Sequence, residues 1–121
     1  MTSYQIAAGC KDGTIHVYDS QDYEELFILA GHEKGVTSLC INKDGTQLAS
    51  ASNDKTVKTW NTSNGLEILT LRGHSNNVYS VCYNHFGTQL ASASRDGTIK
   101  VWDADTGIEL FTCKGHASAV L

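Results

Sequence analysis

A 42-residue period constrains the fold of this chain more than any other feature of its sequence. The dipeptide Gly-His, an aspartate and a large aromatic residue each return at that interval. The recurring positions are Gly31-His32, Gly73-His74 and Gly115-His116; Asp12, Asp54 and Asp96; and Tyr18, Trp60 and Trp102. The pentapeptide Leu-Ala-Ser-Ala-Ser also occurs twice, at 48–52 and 90–94. Because independent positions share one period, the sequence predicts an array of similar structural units.

Each period is predicted to form four short antiparallel strands. The segments rich in β-branched and apolar residues are 36–42, 48–52, 56–60 and 66–71 in one period, and 78–84, 90–94, 99–102 and 108–113 in the next. Turn sequences such as Asp44-Gly45 and Asn64-Gly65 supply the positive φ angles that tight hairpins need. No window has convincing helical periodicity, and the chain contains no proline. The predicted fold class is therefore all-β.

Composition narrows the range of partners. The 121 residues suit one ordinary domain at most. A net charge of −4 and a pI near 5.6 argue against nucleic acid or an anionic membrane surface as the partner. No apolar stretch is long enough to span a membrane, and no secretory signal is visible. We therefore expect neither nucleic acid nor a membrane among the partners.

The four cysteines are interpreted as inert. None of them forms a Cys-x-x-Cys pair, and Cys40 and Cys82 lie at equivalent places inside apolar runs. A thiol in such a run is expected to behave as a small buried hydrophobic side chain rather than as a disulfide or metal ligand. The same expectation applies to Cys10 and Cys113. Because free thiols are typical of a reducing compartment, we expect a cytoplasmic or nuclear location.

The motifs in each period resemble the WD repeat of β-propeller proteins. Gly-His is followed by a strand serine, a turn aspartate and, in the last complete period, Trp102-Asp103. The resemblance extends over essentially the whole chain and implies blades of four antiparallel strands. It also implies a hydrogen-bonded structural tetrad of His, Ser, Asp and Trp in each blade. The implied tetrad residues are His32, Asp54 and Trp60 with Ser50 or Ser52, and His74, Asp96 and Trp102 with Ser92 or Ser94.

The resemblance also divides the chain into blades. In order, it implies a partial blade without its first strand, two complete blades and the start of another, at 1–30, 31–72, 73–114 and 115–121. The partial blade has Tyr18 in place of tryptophan, and Ala8 and Cys10 at the serine positions. A three-blade arc is smaller than the ring of about 4–8 blades that closes a propeller. We therefore expect either a piece of a longer protein, which supplies further blades, or several copies of the chain that complete one ring.

Serine, histidine and aspartate also make up hydrolytic triads, but their recurrence argues against catalysis. A triad occurs once per active site, whereas this set returns every 42 residues with a tryptophan attached. The sequence has no Gly-x-Ser-x-Gly elbow and no glycine-rich phosphate loop. His16 and His85 have no cysteine or histidine at ligand spacing. We therefore expect no catalytic residue, no metal site and no cofactor.

A surface that binds other proteins is the remaining interpretation. In the family that the sequence resembles, the loop before the first strand and the turn before the third strand surround one end of the central channel and commonly grip partner peptides. The corresponding residues, here called the rim, are Lys11, Gly35, Thr37, Asn53, Asn77, Tyr79 and Arg95. Tyr79 and Arg95 are of the residue types most enriched at interface hot spots, so they are the strongest candidates for a partner contact.

Two functions stay open on this reasoning. The first is a non-catalytic scaffold that assembles a multiprotein complex through the rim. The alternative is the regulatory WD-repeat part of a larger protein whose enzymatic domain lies outside this sequence. In both cases the expected partners are other proteins or peptides.

Overall fold

The computed structural model describes residues 5–114. Over that range the chain forms eleven β-strands and no helix. The strands are β1 (Gln5–Gly9), β2 (Ile15–Asp19), β3 (Glu25–Leu29), β4 (Val36–Ile41), β5 (Gln47–Ser52), β6 (Val57–Asn61), β7 (Glu67–Leu71), β8 (Val78–Tyr83), β9 (Gln89–Ser94), β10 (Ile99–Asp103) and β11 (Glu109–Cys113). In the two complete periods each strand begins and ends within one residue of its predicted bounds. The predicted start of a further blade at 115–121, with His116, lies outside the described residues.

The strands form three antiparallel sheets. The first sheet has the order β1-β2-β3, the second β4-β5-β6-β7 and the third β8-β9-β10-β11. Within each sheet, every strand pairs with its neighbours in the sequence, as expected of strands joined by short turns. The predicted all-β fold is therefore confirmed, and sheets of three, four and four strands match partial propeller blades.

Two of the hairpin turns place a residue other than glycine at positive φ. Lys55, between β5 and β6, has φ 76°, and Tyr23, between β2 and β3, has φ 59°. Their equivalents one or two periods away are glycines that also have positive φ, namely Gly13 and Gly97 for Lys55, and Gly65 and Gly107 for Tyr23. Because a Cβ atom is crowded in this left-handed region, these two turns are strained relative to their sister turns.

The apolar core lies between successive sheets. Ile15, Val17 and Leu29 of the first sheet pack with Leu48 and Trp60 of the second. A larger cluster joins the second and third sheets and contains Ala49, Ala51, Val57, Leu71, Val78, Val81, Leu90, Trp102 and Ala104. Each tryptophan thus packs against the sheet that precedes its own. Burial of these faces is the main force that holds the sheets together.

The strands β4 and β8 also meet through polar contacts. The Thr37 hydroxyl donates a hydrogen bond of 2.6 Å to the carbonyl oxygen of Val78. The Val81 N–H lies 3.4 Å from the hydroxyl oxygen of Ser38. These bonds fix the first strands of two neighbouring sheets against each other, at the end where several rim residues lie.

The expectation that all four cysteines are buried is wrong for two of them. Cys40 packs against the cluster between the second and third sheets, and burial raises the pKa of its thiol to about 11. Its equivalent Cys82 is exposed, because it faces away from the second sheet, on a side that no described residue covers. Cys113, on β11, is exposed as well, whereas Cys10 is half-buried.

Within residues 5–114 no helix is long and apolar enough to cross a membrane.

Candidate functional site

A buried chain of hydrogen bonds joins His32, Ser50, Asp54 and Trp60 in the second sheet. The Trp60 indole N–H donates to Ser50 Oγ at 2.9 Å, and Ser50 Oγ lies 2.6 Å from His32 Nε2. His32 Nδ1 lies 2.8 Å from Asp54 Oδ2. Because an indole can only donate, the serine hydroxyl accepts from Trp60 and donates to Nε2, which leaves the Nδ1 hydrogen for the carboxylate. Every donor therefore points along the chain towards Asp54.

The third sheet repeats this arrangement with His74, Ser92, Asp96 and Trp102. The indole nitrogen lies 2.8 Å from Ser92 Oγ, that oxygen lies 2.7 Å from His74 Nε2, and His74 Nδ1 lies 2.9 Å from Asp96 Oδ2. Both serines and both tryptophans are at most 2% exposed. A fully satisfied polar network in such a position rigidifies the structure around it.

The serine two residues further along each strand has a different partner. Ser52 Oγ donates to the carbonyl oxygen of Gly35 at 2.9 Å and accepts an N–H from the following turn at 3.0 Å. Ser94 makes the equivalent bonds in the third sheet. The structure therefore brings Ser50 and Ser92 into the tetrads, and it uses Ser52 and Ser94 to tie a loop to a turn.

Thr56, which the sequence analysis did not identify, supplies further hydrogen bonds to the Asp54 carboxylate. Its hydroxyl and its backbone N–H donate to Asp54 Oδ1 at 2.6 and 2.9 Å, and the backbone N–H of Glu33 donates to Oδ2 at 3.1 Å. Thr98 makes the same two bonds to Asp96. The sequence does contain a signal for this role, because threonine recurs with the 42-residue period at 14, 56 and 98.

Burial and hydrogen bonding set the protonation state of each histidine–aspartate pair. Burial lowers the pKa of His32 and that of His74, although the neighbouring carboxylate acts in the opposite direction. Burial also acts to raise the pKa of Asp54, but hydrogen bonds from Thr56 and His32 outweigh it, and the pKa is lowered. The pKa of Asp96 is lowered in the same way. At neutral pH each tetrad therefore contains a neutral imidazole and an ionised carboxylate.

The geometry of the tetrads suits support rather than nucleophilic chemistry. A serine nucleophile must present its oxygen to a substrate. The Ser50 and Ser92 hydroxyls are buried, and each is already bonded to a tryptophan and a histidine. Within residues 5–114 no three His, Cys, Asp or Glu side chains cluster as a metal site would require.

Close packing explains why glycine precedes the tetrad histidine. A Cβ atom on Gly31 would lie 3.0 Å from the Trp60 ring and 2.9 Å from Glu67 Oε1. A Cβ atom on Gly73 would meet Trp102 and Glu109 at 3.1 and 3.0 Å. Contacts this short are tighter than ordinary van der Waals packing, so a side chain at either position would press on the tryptophan ring and displace the end of the glutamate. Glycine fits the space beside the tryptophan ring without this cost.

An ion pair between a lysine and a glutamate lies beside each tetrad, and the sequence analysis did not predict it. Lys58 Nζ lies 2.6 Å from Glu67 Oε1 and 2.8 Å from Thr70 Oγ1, and the Lys58 side chain is only 8% exposed. The third sheet has the same contact between Lys100 and Glu109, at 2.7 Å. In the first sheet, His16 and Glu25 occupy these positions, at 2.6 Å. Sequence reasoning misses this role because lysine is normally a surface residue.

The first sheet has a polar arrangement of its own. Asp12 accepts hydrogen bonds from the hydroxyl and the backbone N–H of Thr14, at 2.6 and 3.0 Å. Tyr18, at the tryptophan position, is half-buried and stacks on the His16 ring with centroids 6.4 Å apart. The substitutions at the serine positions, Ala8 and Cys10, remove the hydroxyl that links tryptophan to histidine in the other sheets.

The rim residues lie at one end of the sheets, on loops and turns except for Thr37 and Tyr79, which lie near the start of β4 and β8. The structure brings some of them together. A Cβ atom on Gly35 would lie 3.2 Å from the Lys11 carbonyl oxygen and 3.6 Å from the Asn53 amide nitrogen, so these three residues are neighbours. The Asn53 N–H donates to the Gly35 carbonyl oxygen at 3.0 Å, and the equivalent bond joins Arg95 to Asn77 at 2.8 Å.

Exposure differs among the rim residues. Lys11, Thr37 and Arg95 are exposed, although the Thr37 hydroxyl is bonded to the next sheet. The remaining members are half-buried, namely Gly35, Asn53, Asn77 and Tyr79. The rim therefore presents two cationic side chains, with a partly buried tyrosine on the neighbouring strand.

Four-stranded antiparallel sheets that each contain a His–Ser–Asp–Trp chain define a repeat protein of the β-propeller class. The family described as WD domain, G-beta repeat matches the chain twice, over residues 23–61 and 65–103. Because these matches span more than half of the sequence, the chain belongs to this family. WD repeats in general bind other proteins and in general have no catalytic function. A comparison with curated proteins finds no match.

Proposed function

We propose that this protein is a non-catalytic scaffold that holds partner proteins or peptides on its rim within a multiprotein complex of the cytoplasm or nucleus. One observation supports this most directly. The tetrads hold the two rim turns that contain Asn53 and Arg95. The residues that follow them directly, Asp54 and Asp96, are each bonded to a buried histidine. A rigid support keeps the backbone of the rim turns in place, which lowers the entropic cost of binding.

The side chains of the rim suit a protein partner. Arg95 and Lys11 are exposed at equivalent positions in the third and first sheets, so each can pair with a carboxylate of a partner. Tyr79 is half-buried on β8, so part of its side chain is accessible to a partner. Aromatic and arginine side chains of this kind supply most of the binding energy in many interfaces.

The test is a pull-down with the tagged protein and a quantitative mass-spectrometric readout. Tyr79→Ala combined with Arg95→Glu should reduce the captured partners at least ten-fold, with the thermal midpoint nearly unchanged. The control is Phe86→Ala combined with Lys43→Glu. These residues lie in turns at the opposite end of the sheets, and Phe86 is 79% exposed. Equal capture by the wild type and by the rim variant would contradict the proposal.

A further inference from the structure

A cavity of about 250 Å³ lies between the first and second sheets. Apolar side chains from both sheets form most of its wall, among them Phe27, Leu39, Ile41 and Trp60. The polar residues of the wall are Gln5, at the start of β1, Asn61, at the end of β6, and Thr62, which follows it. An apolar cavity of about 150 Å³ is already large enough to bind benzene, so this one can accommodate an aromatic ring.

The corresponding space between the second and third sheets is filled by a tyrosine. Tyr83 packs against the cluster that contains Leu90, Trp102 and Ala104. Its hydroxyl donates to Gln47 Oε1 at 3.3 Å. The ring therefore closes the junction between these two sheets, and its polar end is bonded to a glutamine of the preceding sheet.

The 42-residue period relates the two junctions residue by residue. Ile41 is the equivalent of Tyr83, and Gln5 is the equivalent of Gln47. The first junction thus keeps the glutamine acceptor but has lost the tyrosine ring. Ile41 does not fill the space, since it lines the cavity and remains 49% exposed.

The polar end of the cavity is held in place. Gln5 Nε2 donates to the backbone carbonyl oxygen of Thr62 at 3.3 Å, which fixes the side chain against the second sheet. Its amide oxygen is the same type of acceptor that Gln47 offers to Tyr83. Phe27 and Leu39 are larger than their equivalents Leu69 and Val81 and fill part of the space, yet a cavity of ring size is left.

We propose that this cavity is a binding site for a phenol ring. The ring would lie between the first and second sheets, and its hydroxyl would donate a hydrogen bond to Gln5 Oε1. The ring would occupy the position that Tyr83 takes at the next junction. The site is independent of the rim. The ring can come from a free phenolic compound or from a tyrosine side chain of another protein.

The test uses p-cresol, which is the side chain of tyrosine as a free molecule, in a two-dimensional NMR titration of the full chain. Saturable shifts should appear around Gln5, Ile41 and Thr62, with a Kd of about 0.1–1 mM, which is realistic for a ligand of this size. Ile41→Tyr supplies the ring from the protein itself and should abolish these shifts. Gln5→Leu should weaken p-cresol about five-fold, the effect of one hydrogen bond, and leave toluene binding unchanged.

A matched variant at the other junction gives the reciprocal result. Tyr83→Ile should create a second cavity, so that p-cresol also shifts the resonances of Gln47. Absence of saturable shifts in the wild type, or the same shifts in Ile41→Tyr, would overturn the proposal even if Tyr83→Ile does not fold. Binding of either p-cresol or N-acetyl-tyrosinamide at Gln5 supports it. Preference for the second compound would identify a partner's tyrosine as the source, and preference for the first a free phenol.

Discussion

The indole nitrogen of Trp102 lies 2.8 Å from the hydroxyl oxygen of Ser92, and both side chains are buried. The same side chain belongs to the apolar cluster that joins the third sheet to the second. Trp102 thus has two roles, since its ring fills the core between sheets and its N–H begins the hydrogen-bonded chain to His74 and Asp96. Loss of this residue should affect both the packing and the polar network.

Trp102→Ala is expected to lower the free energy of unfolding by about 3–5 kcal/mol, the range for truncation of a buried aromatic side chain. Tyr18→Ala, at the equivalent position of the first sheet, should cost clearly less, because Tyr18 is half-buried and its sheet has no tetrad serine. Urea denaturation followed by circular dichroism measures both. Equal losses at the two positions would contradict the role assigned to Trp102.

Trp102→Phe separates packing from hydrogen bonding. Phenylalanine keeps an aromatic ring in the core but has no N–H for Ser92. The expected loss is about 1–3 kcal/mol, from the missing donor and the smaller ring. If Trp102→Phe is as damaging as Trp102→Ala, the contribution of the ring to the core has been overstated.

Lys55→Gly is expected to stabilise the protein by about 0.5–1 kcal/mol. Lys55 has φ 76°, and a left-handed residue with a Cβ atom costs about 1–2 kcal/mol, part of which is offset by the greater entropy of glycine in the unfolded chain. The control is Gly97→Ala at the equivalent turn, where φ is 84°, and it should destabilise. A shift of the thermal midpoint in the same direction for both variants would argue against strain as the cause.

The 42-residue period predicted the sheets and most of the tetrad residues, because residues that recur at one interval occupy equivalent places in similar structural units. Histidine, aspartate and tryptophan each occur once per period in the relevant place, so their partners could be predicted. The serine could not, because Ser50 and Ser52 are two residues apart on β5 and face the same side. The structure separates them through register, since Ser50 is within reach of the Trp60 ring and Ser52 lies beside the loop before β4.

Features that depend on contacts between sheets could not be predicted from one period. Cys40 and Cys82 have equivalent positions, yet only Cys40 is covered by a following sheet. The cavity arises because Ile41 stands between the first and second sheets at the position that Tyr83 occupies between the second and third. A pattern within one strand does not reveal this difference. Burial of Lys58 was unexpected for a different reason. Its ammonium is held by Glu67 and Thr70 on the neighbouring strand of the same sheet, whereas lysine is normally a surface residue.

Glu67→Ala should destabilise the protein by about 1–2 kcal/mol. The Lys58 ammonium is almost buried, and it would keep only Thr70 as a partner, so part of its desolvation would be uncompensated. Glu67 itself is 39% exposed, and water can therefore replace some of the lost interaction. The control is Glu25→Ala, which removes the more exposed pair with His16 and should cost less than about 1 kcal/mol. Chemical denaturation of the two variants side by side measures the difference.

Stability is expected to fall as the pH is lowered from 7 to 5. Burial lowers the pKa of His32 and that of His74 in the folded protein below the ordinary histidine pKa of 6.5. As the pH falls below 6.5, these histidines therefore bind protons more readily in the unfolded chain than in the folded protein. Unfolding is then linked to proton uptake, and the free energy of unfolding decreases as the pH falls through 6.5. A second decrease should follow below pH 3.8, because the pKa values of Asp54 and Asp96 are also lower in the folded state.

His74→Gln tests whether a tetrad histidine is responsible for the first decrease. The variant should be less stable at pH 7, because the bonds to Ser92 and Asp96 are disrupted, but its stability should change less between pH 7 and pH 5. His85→Gln is the matched control for the substitution itself, since His85 lies in an exposed turn outside both tetrads. Urea midpoints measured at half-unit pH steps provide the slopes. A slope that is identical in all three proteins would show that the tetrad histidines do not account for the sensitivity to acid.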